Sequence, residues 1–208
     1  MPTYLDEETL ARGLKYLSAR DRDLARILEE FGPPPMWERE AGFATLLLII
    51  LEQKISLASA AAVYERLNTL CGPLTPERFL ELDDDAIMST GFSRRKMDYV
   101  RDLARSIIEG RLDLAALSEM DDEAARAELL KVKGIGPWTA DIYLLRALLR
   151  PDVWPRGDLA LAVAAQKVKG LRCVPGHEEL DALGAAWKPW RAVAARLLWH
   201  YYLNRKRV

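Results

Sequence analysis

The residues best suited to chemistry stand in one short run and in one acid beyond it. The run is Leu130-Lys131-Val132-Lys133-Gly134-Ile135-Gly136-Pro137-Trp138-Thr139-Ala140, and the acid is Asp158 in Pro155-Arg156-Gly157-Asp158. Two close glycines permit a turn with little bulk and easy access to positive φ. Pro137 suits the first position of a helix, where its fixed φ helps and its missing N–H costs nothing. The amphipathic stretch 121–132 stops just before the glycines, so the spacing predicts helix, tight hairpin, helix. The first N–H groups of the second helix then face outward beside glycine backbone, a geometry that holds an anion such as phosphate. Lys131 and Lys133 add positive charge beside it. The same turn could also be purely structural. Asp158 precedes Leu159-Ala160-Leu161-Ala162-Val163 and reads as a helix N-cap, a role compatible with a carboxylate facing a cleft.

The elements that must position these residues are helical. Apolar periodicity predicts helices over 6–19, 21–31, 42–56, 58–71, 75–82, 83–89, 94–109, 118–132, 137–149, 158–168, 177–187 and 189–204. Gly32-Pro33-Pro34-Pro35 and Gly72-Pro73 break the chain. No alternating strand pattern, internal repeat or low-complexity tract is visible. The expected class is all-α, with about ten helices joined by short loops. Five of the six tryptophans follow position 137: Trp138, Trp154, Trp187, Trp190 and Trp199. Core packing explains most buried tryptophans, and Trp187 and Trp190 read as braces for the last helix. Trp138 differs, because it lies in the first turn after the hairpin, where a planar ring could meet a base rotated out of a duplex.

At 208 residues the chain has room for one domain or two small lobes. Thirty basic residues balance 31 acids to a net charge of −1, so any nucleic-acid surface must be local. The visible basic clusters are Arg94-Arg95-Lys96 and Arg205-Lys206-Arg207, the latter read as a solvated tail. Cys71 and Cys173 have no Cys-x-x-Cys partner, which excludes a four-cysteine zinc or iron–sulfur site within one chain. His177 and His200 read as packing or surface groups rather than metal ligands. The start of the chain is acidic rather than signal-like, and the apolar run 46–51 is too short to span a bilayer. A cytoplasmic, nucleoid-associated protein with no membrane contact is expected.

Lys133 through Ala140, with Asp158 twenty positions beyond Trp138, resembles the hairpin, Gly/Pro loop and aspartate signature of the helix-hairpin-helix DNA glycosylase superfamily. Trp187-Lys188-Pro189-Trp190-Arg191 through Trp199 is similar to its 3-methyladenine DNA glycosylase II branch. Ile50-Leu51-Glu52-Gln53-Lys54-Ile55-Ser56 with Ala60-Ala61-Ala62 resembles that branch's DNA-entering loop, and Gly91-Phe92-Ser93-Arg94-Arg95-Lys96 its next loop. The resemblance covers roughly 42–202. It implies that Asp158 is the catalytic aspartate, that Trp138 and Trp199 line the base pocket, and that Lys133, Gly134, Gly136 and Thr139 hold DNA phosphate. Gln53 and Lys54 match the loop that fills the gap left by the flipped nucleotide, with Lys54 or Ile55 as the intercalating residue. Backbone carbonyls of Leu130, Val132 and Gly134 match a monovalent-cation site for Na+ or K+. No other cofactor is implied, and no iron–sulfur cluster.

In bifunctional members a catalytic lysine stands where Trp138 stands here. Indole cannot form a Schiff base, so the resemblance implies a monofunctional enzyme acting on damaged double-stranded DNA as a monomer. Candidate lesions are 3-methyladenine, 7-methylguanine, 1-methyladenine and hypoxanthine. Two other readings stay open: a glycosylase for oxidised or mismatched bases, and a non-catalytic helix-hairpin-helix DNA-binding module. The implied architecture is a two-lobed glycosylase unit over 1–208 without an extra N-terminal β domain. Its central lobe runs over about 43–149 and its second lobe over 1–42 plus 151–208, with Asp158, Trp138 and Trp199 at the cleft.

Overall fold

The computed structural model describes residues 4–205, so Lys206 and Arg207 of the basic tail lie outside the described residues. Among the described residues the chain is helical, with no strand. The α-helices are α1 (Glu7–Ser18), α2 (Arg22–Phe31), α3 (Phe43–Glu52), α4 (Leu57–Cys71), α5 (Pro76–Glu81), α6 (Asp84–Ser89), α7 (Arg94–Ile108), α8 (Asp122–Leu130), α9 (Pro137–Arg146), α10 (Leu159–Val168), α11 (His177–Ala185) and α12 (Arg191–Arg205). A short 3-10 turn, Ala116–Ser118, precedes α8. Among the described residues these twelve α-helices answer to the twelve predicted segments, and the short α5 and α6 each form behind their own cap, Thr75 and Asp83. No described helix is long and apolar enough to cross a membrane.

Capping sets most boundaries. Asp6, Asp21, Ser56, Ser93, Asp121 and Asp158 each accept an N–H of the helix they open, leaving fewer orphan donors in its first turn. Two predicted helices run too long. The one expected over 42–56 stops at Glu52, because Gln53 leaves the helical region at φ −57°, ψ 118° and Lys54 takes φ +59°. The one expected over 137–149 stops at Arg146, and the chain turns through Leu149 at φ +53°. The segment predicted over 118–132 forms helix only over Asp122–Leu130, since Asp121 is its cap.

The chain forms two compact units, one of residues 39–143 and one of residues 1–38 with 144–208. In the first, α3 is apolar nearly all round and buried accordingly. It packs on α4 and α7, and α7 also receives α5 and α6. The stripe Met97, Val100, Leu103, Ala104 explains that position, since i, i+3 spacing puts these side chains on one face. Phe79 closes the cluster edge-on to Phe43, 6.1 Å between ring centroids.

In the other unit, α12 is central, with residues 192–198 buried and α1, α2, α10 and α11 packed around it. Asp21 ties the helices there. Its carboxylate accepts two hydrogen bonds of 2.7 Å from Lys169 Nζ and one of 2.8 Å from Trp187 Nε1. Burial by itself would raise the Asp21 pKa. The hydrogen bonds from Lys169 and Trp187, with the Lys169 charge, outweigh it and hold the carboxyl below its ordinary range.

Candidate functional site

Each unit carries part of the predicted machinery. In the unit of 39–143, α8 and α9 are joined by the predicted hairpin. The turn closes on itself, with Ile135 N–H donating to Val132 O at 3.1 Å and Ala140 N–H to Gly136 O at 3.0 Å. Gly134 sits at φ +89°, and a Cβ there would lie 2.2 Å from Tyr99 Cγ, so only glycine fits. A buried ion pair, Arg126 Nε to Asp141 Oδ1 at 2.6 Å, clasps α8 to α9. Nothing in the sequence singled out Asp141 beyond its being an acid in an apolar helix.

The hairpin is less open than its sequence suggested. Lys133 N–H donates to Asp102 Oδ2 at 3.1 Å, so this donor faces a carboxylate of the protein. The N–H groups of Gly134 and Gly136 meet no acceptor among the described residues. Lys131 pairs with Glu128 on the surface, while the Lys133 side chain is exposed. Thr139 is only 2% exposed, and its Oγ1 accepts from Gln53. What it can offer a phosphate from that position is backbone. Trp138 is half-buried in the first turn of α9.

Gln53 reaches this same hairpin. Its Nε2 donates to Gly134 O and to Thr139 Oγ1, both at 2.9 Å. Next to it, Lys54 and Ile55 are exposed. The backbone leading into this loop is gripped by Lys96, whose Nζ donates to Leu51 O at 2.6 Å and Gln53 O at 2.8 Å. Burial lowers the Lys96 pKa. Arg39 holds Glu52 through both carboxylate oxygens. In the sequence Lys96 stands out only as part of a basic cluster and of the loop-like segment 91–96, and nothing marks Arg39.

In the unit of 1–38 with 144–208, Asp158 caps α10 and is 9% exposed. Its Oδ1 accepts from Leu161 N–H at 2.8 Å and from Trp199 Nε1 at 3.2 Å. The N-cap and site readings therefore coincide in one residue, held by helix backbone on one side and an indole on the other. Gly157, at φ +75°, turns the chain into the cap beneath the ring of His177.

Trp199 has an aromatic neighbour that sequence reasoning missed. Trp37 stands edge-on to it, 6.4 Å between centroids at 73°. Trp37 lies just after the proline break, where no periodicity marks it. Its backbone, at φ +48°, is one that a bulky side chain rarely adopts. Two arginines hold it there. Arg146 Nε donates to Trp37 O at 2.9 Å, and Arg196 Nε to Met36 O at 3.0 Å. Arg196 is fully buried and also donates to Leu145 O at 2.9 Å and Ala192 O at 3.1 Å. Burial first, and the Arg146 charge second, pull its pKa down.

Chemically, a low-exposure carboxylate oriented by two N–H donors can stabilise a cation developing beside it. Indole faces attract cationic rings. A hairpin with open glycine N–H groups can take an anion. Two basic side chains, Lys96 and Arg39, hold the backbone and the helix end that lead into the exposed loop.

The sequence pattern of the HhH-GPD superfamily base excision DNA repair proteins matches residues 47–191. A Bacillus subtilis protein, YfjP, named provisionally as a DNA-3-methyladenine glycosylase, is 31% identical over 185 residues, 85% of this chain. The match spans 64% of that protein's own length. A DNA-3-methyladenine glycosidase from Bacillus halodurans has a similar solved structure, with TM-score 0.77, 30% identity, and coverage of 94% of this chain and 91% of that one. The Schizosaccharomyces pombe 3-methyladenine DNA glycosylase Mag1, solved with abasic DNA, gives TM-score 0.84 at 25% identity, covering 90% and 95%.

Proposed function

This chain belongs to the HhH-GPD superfamily of base excision DNA repair proteins, and we propose that within it the chain is a monofunctional DNA glycosylase for alkylated purines of the 3-methyladenine type. The observation that carries the reading is the Asp158 carboxylate, buried, capping α10 and accepting a hydrogen bond from Trp199 Nε1. The names of the similar bacterial and yeast proteins support the substrate class.

In the proposed reaction the damaged base leaves the stack before it is cut. As its N-glycosidic bond lengthens, positive charge builds on the sugar, as in other oxocarbenium-like transition states. Asp158 stabilises that charge and orients water. The oxygen of water bonds to the anomeric carbon, the base leaves with the bonding electron pair, and the proton of water passes to solvent. A methylated purine that already carries positive charge leaves without a strong general acid. Trp199 and Trp37 offer such a base their electron-rich faces, at about 0.5–2 kcal/mol per contact. Trp138 is proposed as a further pocket wall on the strength of its sequence position. It stands where bifunctional relatives carry lysine, and without an amine there no Schiff base forms and no strand is nicked.

Gly134, Gly136 and Lys133 are proposed to hold phosphate. Carbonyls of Leu130, Val132 and Gly134 suit a hard monovalent cation. Val132 O and Gly134 O each already accept one N–H, and each keeps a second lone pair. A Na+ or K+ held there would supply positive charge toward the phosphate.

Base release from methylated duplex DNA, resolved by chromatography, tests the reading on wild type and Asp158→Asn. Asparagine caps a helix about as well as aspartate, so the variant should fold and bind DNA. Its release rate should fall by about two to three orders of magnitude, the scale of losing one transition-state electrostatic contact. Absence of methylpurine release by wild type, or full activity in Asp158→Asn, would overturn the proposal. Covalent trapping on DNA by borohydride would overturn its monofunctional part.

A further inference from the structure

We infer that Gln53 is a positioning residue, a strut that makes the exposed 54–55 loop and the hairpin move as one body, rather than a residue that itself enters the DNA. The inference rests on reading the chain as a glycosylase, and its test separates the two.

The geometry is specific. Gln53 ends α3, and its side-chain amide leaves the loop to donate twice at 2.9 Å, to Gly134 O and to the buried Thr139 Oγ1. Those two acceptors lie on the turn and on the first turn of α9, so the turn and the helix that follows it are both held. The carbonyl of Gln53 accepts from Lys96 Nζ at 2.8 Å, which fixes the same residue from α7. Side chain and main chain of Gln53 are therefore both spent on the protein's own frame. A residue reaching into a duplex would have to break two hydrogen bonds to do so and leave Gly134 O and Thr139 Oγ1 to find other donors. The exposed side chains that follow, Lys54 at φ +59° and Ile55 at 43% exposure, make no such commitment.

The functional consequence follows from what the two parts are proposed to do. The hairpin would grip phosphate while the loop fills the space of a displaced base. A displaced base stays out only if the filler cannot slide relative to the grip. Gln53 supplies that fixed relation within the unit of 39–143. Its loss should therefore cost base displacement and excision rate more than affinity for undamaged duplex.

Gln53→Leu keeps approximate size and removes both donors, and Gln53→Glu replaces the amide by a carboxylate that repels the Gly134 carbonyl. Hydrogen exchange of the free protein comes first, since it needs no DNA. Each neutral hydrogen bond lost is worth a factor of about two to twelve in an opening equilibrium, so the hydrogen-bonded amides of Gln53, Lys133 and Ile135 should exchange roughly tenfold faster in both variants. Duplex affinity, single-turnover base release and the fluorescence of 2-aminopurine beside the lesion are then compared. Release should fall roughly tenfold, with weaker 2-aminopurine fluorescence and duplex affinity within about threefold of wild type. Unchanged exchange in both variants overturns the strut whether or not the chain is a glycosylase. Faster exchange with unchanged release from an active wild type overturns its role in catalysis. Inactive wild type with faster exchange removes the glycosylase reading and with it the catalytic role, leaving the strut as a structural fact alone.

Discussion

Gly134→Ala tests the hairpin most directly, because two separate costs can be worked out for it. The first is conformational. At φ +89° an alanine pays roughly 1–2 kcal/mol that glycine does not. The second is steric. The new Cβ would lie 2.2 Å from Tyr99 Cγ and 2.5 Å from Tyr99 Cβ and Cδ2, and the nearest ring atoms belong to a side chain braced at its hydroxyl by Arg95 Nε at 2.6 Å. Overpacking of this kind costs about 1–3 kcal/mol. Together the expected loss is about 2–5 kcal/mol, or roughly 4–20 °C in melting temperature at about 2–4 °C per kcal/mol for a chain of this size. A double-mutant cycle with Tyr99→Gly, which removes the Cβ as well as the ring, separates the parts. In the Tyr99→Gly background only the φ cost should remain, so the coupling energy should be about 1–3 kcal/mol. Differential scanning calorimetry on the four proteins gives that number, and fluorescence anisotropy with a short duplex tests the hold on DNA proposed for the hairpin. Additivity within about 0.5 kcal/mol would mean that the ring moves aside freely, and the account of why glycine is required there would fail.

Two further outcomes follow from the other unit. Trp199→Phe removes the indole N–H from Asp158 and leaves the Leu161 N–H in place. A hydrogen bond to a charged acceptor is worth about 1.5–3 kcal/mol, and at 3.2 Å the lower end applies, so single-turnover base release should slow about tenfold with duplex affinity unchanged. An unchanged rate would remove Trp199 from the site. Asp21→Asn keeps the cap of α2 but loses the charge facing Lys169. With both partners mostly buried and Asp23 still 3.0 Å from Lys169, the expected loss at pH 7 is about 1–3 kcal/mol, or roughly 5 °C. Because the folded-state pKa of Asp21 is lowered, its contribution is full above the ordinary carboxylate range and fades as pH falls through the folded value. Melting curves of the two proteins should therefore converge below about pH 4, and a gap that stays constant into acid would contradict the linkage.

Features that depend on neighbours in the chain were readable early. The helix-hairpin-helix turn is marked by Gly134, Gly136 and Pro137 within a few residues. Gly134 is required by its positive φ against Tyr99 and Pro137 suits the first position of α9, while a side chain at Gly136 would meet open space. Asp158 announces itself as a cap because its partner, Leu161 N–H, is three residues away. Amphipathic periods located the helices to within a few residues, and the errors came where a remote group ends a helix. The apolar run 42–56 gave no sign that α3 stops at Glu52, since its end is held by Lys96, which lies more than forty residues later.

The site divides along the same line. By itself the sequence determined an all-α chain, the hairpin, the aspartate and the tryptophans that gave the chain its family likeness, because local backbone geometry and short-range spacing are written in consecutive residues. Tertiary structure decided that Gln53 braces the hairpin, that Asp102 occupies the Lys133 N–H, and that Trp37, pinned by Arg146 and Arg196, stands against Trp199. Those facts rest on hydrogen bonds and ring contacts between residues 31 to 162 positions apart. Such pairings arise only when the helices pack, and no period or motif along the chain encodes which of many polar side chains will meet which backbone group.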